Sequence, residues 1–194
     1  MRSLSHARPA LASPARWLQL QHPLELRDAA ADLGGACIRA APLCRTELAP
    51  QDPGHKSEVL GGVAGDNDPL DVVEIGSKAH ATGSVVAVKP LGVYAMIDDG
   101  ELDWKVIAIA VDDAKAPLVN CVADVETHFP GELEKILVWF RDYKKPDGKP
   151  ENAFGYNNAC KDAPFAFGVV EETHGFYTAL KSGKLANSGG LSLI

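Results

Sequence analysis

Apolar residues change their period along this chain, and the change divides it. Val72 to Ile75 is a short β-branched run between polar stretches and predicts a strand. Gly83 to Ile97, GSVVAVKPLGVYAMI, is apolar and β-branched but interrupted by Pro90 and Gly92. It predicts a strand, a bulge or bend, and a second strand. The segment DDGE at 98–101 predicts a turn. Leu102 to Val111, LDWKVIAIAV, predicts another strand. It is apolar on both faces past Lys105, as in a closed or covered sheet. The period then lengthens. Pro130-Gly131 opens a helix on which Leu133, Ile136, Leu137 and Phe140 follow the i, i+3, i+4, i+7 stripe. The turn signal Lys144-Lys145-Pro146-Asp147-Gly148 stops it. A last helix is expected from near Ala163 to Lys181. Strands followed by two helices predict a mainly β fold with α, a barrel or curved sheet with helices packed outside it.

The first fifty residues behave differently. Met1 to Leu24 contains Arg2, Arg8 and Arg16, several Ser and Ala, and no acid before Glu25. That composition fits an organelle transit peptide or an Ala/Arg-rich tail with no address. Residues 25–50 show no period and include Gly34-Gly35. The expected organisation is an atypical, disordered or transit-like segment 1–50, a folded domain 51–184 and a flexible tail 185–194.

Composition sharpens this. A chain of 194 residues with 46% hydrophobic residues suits one domain with a real core. No apolar run approaches the roughly 18 residues of a spanning helix, so no membrane association is expected. The net charge of −7 argues against a nucleic-acid surface. Cys37, Cys44, Cys121 and Cys160 form no C-x-x-C pair, which favours reduced thiols over a zinc site or disulfide framework. His80, His128 and His174 lack metal-ligand spacing and read as ordinary surface or core residues.

The chemistry concentrates in two acidic groups. Gly65-Asp66-Asn67-Asp68-Pro69-Leu70-Asp71 places three carboxylates within six residues. In extended chain Asp66 and Asp68 share a face, and Pro69 biases Asp68 toward an extended conformation. The later turn carries Asp98, Asp99, Glu101 and Asp103. Asp103 and Lys105, two apart on a strand, point to one side. If both groups converge, unit charges about 4 Å apart repel by roughly 4 kcal/mol at an effective dielectric near 20. Cations would relieve this, and carboxylate oxygens favour Mg²⁺ or Mn²⁺. The same residues equally suit solvated turns. A calcium EF-hand fails: counted from Asp66, position 6 is Asp71 instead of Gly and position 12 is Ser77 instead of Glu. Lys105, Tyr143, Lys144 and Lys145 can bind an anion, or the lysines can cap the helix's negative end. No Walker loop, dinucleotide fingerprint or nucleophile elbow is present.

Together these blocks resemble a known family. GDNDPLDVVEIG (65–76), DDGELDWKVIAIAVDD (98–113), DVETHFPGELEKILVWFRDYKKPDGKPEN (124–152) and EETHGFY (171–177) resemble the ordered blocks of the first family of soluble inorganic pyrophosphatases, in their eukaryotic form. The resemblance covers roughly residues 51–184. It implies a five-stranded β-barrel of the oligonucleotide-binding type with flanking helices, and hydrolysis of inorganic pyrophosphate to two phosphates with Mg²⁺. It implies that Asp66, Asp71, Asp98 and Asp103 ligate metal. Asp68 would accept the proton of the attacking water, and Lys105, Tyr143 and Lys144 would grip phosphate. The expected partner is pyrophosphate, with a homodimer left open and nucleic acid and membrane excluded. The expected location is the cytoplasm, or a plastid or mitochondrion if the first residues are an address.

The resemblance has one departure. Residues 1–50 show none of the family's early strands or its further lysine, glutamate, arginine and tyrosines. The barrel is then incomplete, and the alternative is a truncated, catalytically impaired relative that retains only metal binding.

Overall fold

The computed structural model describes residues 16–18, 56–57, 62–188 and 190–191. Apart from 16–18, the transit-like or disordered reading of residues 1–50 lies outside the described residues, as do Cys37 and Cys44.

In chain order the elements are β1 (Arg16–Leu18), β2 (Lys56–Ser57), β3 (Val63–Ala64), β4 (Asp71–Glu74), β5 (Val88–Asp98), β6 (Glu101–Ala110), α1 (Val122–His128), α2 (Glu132–Asp142), β7 (Ala153–Phe154), β8 (Lys161–Asp162) and α3 (Ala163–Lys181). Six strands form one sheet in the order β1-β4-β6-β5-β7, with β8 also on β5, while β2 and β3 pair separately. Strand β6 is the spine. It pairs antiparallel with β5 and parallel with β4, so that Asp71 lies opposite Lys105. Among the described residues this sheet is open, the incomplete form of the expected barrel. Its six strands include the two-residue strands β7 and β8, which both join it at β5. Strand β1 pairs with β4, Arg16 opposite Glu74, inside a segment whose composition predicts no strand.

The interruption expected at Pro90 and Gly92 is a bulge inside one continuous strand. Pro90 lies opposite Ala108 and Gly92 opposite Ile107, which leaves Leu91 without an opposite residue. A bulge suits a proline that has no N–H to give the ladder. The expected strand over Gly83 to Ala87 is absent: β6 ends at Ala110, opposite Val88, and the pairing stops one step beyond, where Val111 N donates to the Ala87 carbonyl oxygen at 3.0 Å. Gly92 has its own reason. Strand β8 crosses so closely that an added Cβ there would lie 2.8 Å from both the Cys160 Sγ and the Lys161 carbonyl oxygen.

Both faces of the sheet are covered. On one, Val72, Val93, Trp104 and Val106 pack with Ala166, Val169 and Val170 of α3. On the other, Val73, Met96, Ile107 and Ile109 pack with Val125 of α1 and Leu133, Ile136 and Phe140 of α2. The continuous apolar run of β6 follows from this double burial. Helix α2 buries the predicted stripe, and α3 has the predicted bounds. The Asp162 carboxylate caps α3 by accepting from Ala163 N at 2.9 Å, and it also accepts from Val122 N at 2.8 Å at the start of α1.

Gly92→Ala is expected to destabilise the chain by about 1–3 kcal/mol, the usual cost of an overpacked contact. Urea denaturation would show this as a lower midpoint at unchanged slope; an unchanged midpoint would mean that β8 moves aside freely.

Candidate active site

Three segments build the site. The first is the loop before β4. Gly65 bridges to Leu102 of β6, and Asn67 takes a left-handed conformation, φ 62°. The Asp66 Oδ1 accepts a hydrogen bond from Asp68 N at 3.0 Å. This Asx-type turn leaves Asp68 exposed and brings the chain round to Asp71 at the head of β4. The second segment is the β5–β6 hairpin. Asp98 and Glu101 face each other, and Asp99 and Gly100 between them have φ of 49° and 92°. Two consecutive positive φ angles make the turn whose twist matches the flanking strands. The third is the C-terminal end of α2 with the two residues beyond it, and it supplies Trp139, Phe140, Tyr143 and Lys144.

These segments enclose a cleft of about 420 Å³. Its lining contains seven carboxylate side chains, Asp66, Asp68, Asp71, Asp98, Asp99, Glu101 and Asp103, against one lysine, Lys105. Lys144 adds a cation at the edge, paired with Asp98 and 3.6 Å from Asp99. Tyr143 donates to Asp98 Oδ2 at 3.4 Å. Lys105 is only 3% exposed. Its ammonium pairs with both Asp71 and Asp103 and lies 5.1 Å from the centre of the Phe140 ring.

Burial of so much negative charge shifts the protonation equilibria. The Asp103 carboxyl is pushed up to about 7, mainly by burial, although Lys105 opposes the shift. Asp66 is also raised, mainly by burial and against the hydrogen bond from Asp68 N. Burial works against the charge on Lys105, but Asp103 and Asp71 outweigh it and hold the ammonium above its ordinary value. Burial opposes the charge on Lys144 too, and the hydrogen bond to Asp98 overcomes it. The Tyr143 hydroxyl is raised by burial and then by Asp98.

The predicted residues Asp66, Asp68, Asp71, Asp98, Asp103, Lys105 and Tyr143 all line this cleft. Lys144 reaches its edge through Asp98. Lys145 turns away instead and pairs with Asp142 and Glu151. Trp139 and Phe140 also line the cleft and were not among the predicted site residues. Their spacing on α2 reads as packing, and only the four-residue step from Trp139 to Tyr143 hints at a shared face. Cys121 and Cys160 form no disulfide, and burial lifts the Cys160 thiol to about 12, which makes it unreactive.

Among the described residues, no three His, Cys, Asp or Glu side chains are already arranged to hold a metal ion. The lysines explain the arrangement: Lys105 fills the gap between Asp71 and Asp103, and Lys144 holds Asp98. The donor set still fits a hard divalent cation. Its donors are carboxylate oxygens, and they exceed the lysines that neutralise them.

A sequence model of the family described as inorganic pyrophosphatase matches residues 46–178. The chain belongs to the inorganic pyrophosphatase family. Soluble inorganic pyrophosphatase 1, chloroplastic, of Chlamydomonas reinhardtii is 64% identical over 144 residues, covering 74% of this chain and 51% of that protein. The inorganic pyrophosphatase of Schistosoma japonicum is similar in structure, with a TM-score of 0.66 at 47% identity over 68% of this chain and 46% of that one. An N-terminally truncated vacuolar soluble pyrophosphatase of Trypanosoma cruzi, solved in complex with PPi, gives a TM-score of 0.69 at 30% identity, covering 94% and 76% of the two chains. The chain spans about half the length of the curated relatives it matches. Among its described residues no helix is long and apolar enough to cross a membrane.

Lys105→Met is expected to lower unfolding stability by about 3 kcal/mol in the presence of a chelator, because it strands two carboxylates that share one counter-charge. The figure is the low end for a buried pair, since the Asp71 side chain is 37% exposed and partly screened by water. Denaturant unfolding measures it, and an unchanged free energy would mean that Lys105 does not hold the cleft together.

Proposed function

We propose that this chain hydrolyses inorganic pyrophosphate to two phosphates in a Mg²⁺-dependent reaction at the acidic cleft. The observation that carries the reading is the cleft itself, whose seven carboxylates outnumber the cations set among them, Lys105 between Asp71 and Asp103 and Lys144 on Asp98, with Tyr143 on the same lining. Family membership and the T. cruzi relative's complex with PPi support the substrate.

Asp66, Asp71, Asp98 and Asp103 would hold Mg²⁺. Bound there, such ions acidify water and neutralise charge on phosphoryl oxygens. The chain's own residues divide the remaining work. Asp68 is exposed at the tip of its loop and oriented by the hydrogen bond from its own N–H to Asp66, which suits it to take the proton of the attacking water. Lys105 and Lys144 would meet phosphate oxygens as point charges, and the Tyr143 hydroxyl would donate a hydrogen bond. Such donors would stabilise the negative charge that grows on the leaving phosphate. The named chloroplastic relative and the acid-poor, Arg-bearing composition of residues 1–24 support a plastid address over a cytoplasmic one.

Phosphate release from pyrophosphate at millimolar Mg²⁺ tests the reading. Asp68→Asn is expected to lower the rate by about 10²–10⁴-fold, the range of a general base, while circular dichroism stays unchanged. A folded wild-type chain with no turnover would overturn the hydrolase reading in favour of a metal-binding relative.

A further inference from the structure

The end of α2 carries three aromatic rings packed as one unit. Trp139 and Tyr143, one turn apart, stack with centroids 5.1 Å apart and planes 10° from parallel. Phe140, buried at 2% exposure, stands edge-on to both, 5.0 Å and 87° from Trp139 and 6.3 Å and 83° from Tyr143. Tyr143 ends the helix and is 37% exposed, so the helix alone does not fix its ring. Its hydroxyl meets Asp98 at 3.4 Å, too long a contact to hold the ring in one orientation.

We propose that Trp139 is a positioning residue for pyrophosphate binding: its indole face clamps the Tyr143 ring so that the phenolic hydroxyl points into the acidic cleft. The proposal rests on reading that cleft as the pyrophosphate site. Trp139 is suited to the role because it lines the same cleft while Phe140 anchors it edge-on to the core. A flat ring on a flat ring restricts rotation of Tyr143 about its side-chain bonds, so less ordering remains to be done when the anion arrives.

Calorimetric binding of imidodiphosphate to the full chain in Mg²⁺ buffer tests it. Trp139→Leu is expected to weaken binding about fivefold, within what one ordered aromatic side chain is worth. Trp139→Phe, which keeps a flat face, is expected to restore binding to within about twofold of wild type. In a Tyr143→Phe background the Trp139→Leu effect disappears, since no hydroxyl remains to be aimed. Should Trp139→Leu unfold, Trp139→Met keeps the bulk without the flat face and carries the same expectation. A Trp139 effect of the same size in the Tyr143→Phe background, or no effect at all, overturns the proposal and leaves the substrate reading standing. A wild-type chain that binds no imidodiphosphate overturns both.

Discussion

Charge balance within one cleft constrains the rest of this chain. Seven carboxylates share a lining with a single lysine, and the low-dielectric core lies directly behind them. Neither dispersal nor full protonation resolves the repulsion. The backbone fixes Asp71 opposite Lys105 across a parallel strand pair and Asp103 two residues from Lys105 on the same strand. The fold instead plants a buried ammonium between the two carboxylates and leaves Asp103 with a strongly raised proton affinity. The result is a site held together by its own internal counter-ions, Lys105 and Lys144.

Each part of the surrounding architecture serves that arrangement. Strand β6 can hold a charged pair at one end because its other residues are buried on both faces, which fixes its position. The two-residue turn at Asp99-Gly100 returns the chain without a loop, so Asp98 and Asp103 belong to a rigid hairpin. Helix α2 packs its Leu133, Ile136 and Phe140 on the same face and thereby delivers Tyr143 and Lys144 to the rim. The site joins segments distant in sequence, Asp71 with Lys105 and Asp98 with Tyr143 and Lys144, and core packing aims these polar groups.

Elements with a repeating pattern were legible in the sequence. The runs at Val72 and Leu102 and the stripe on α2 each bury a face whose period shows in the residues themselves. Helix α1 escaped because it has seven residues and buries only Val125, too little for a stripe. Strands β7 and β8 are two residues each and exist through pairing with β5, which composition does not encode. Gly83 to Ala87 misled in the other direction: its β-branched residues suit a strand, but the pairing with the β6 side ends at the single bond from Val111 N to the Ala87 carbonyl oxygen. At the site, the density of acids was plain. Their placement around one cleft came only through the resemblance, because it depends on β4 lying parallel to β6. Composition alone does not separate Lys145 from Lys144; the resemblance chose Lys144, and in the structure Asp142 and Glu151 claim Lys145.

The carboxylate of Asp162 has a mechanical consequence. One of its oxygens accepts from the first amide of α3 and from the first amide of α1, helices that lie on opposite faces of the sheet. A shared cap of this kind couples the two layers at a single point. If the start of α3 frays and carries Asp162 away, the first amide of α1 loses its partner too, so loosening at this edge reaches both faces of the sheet.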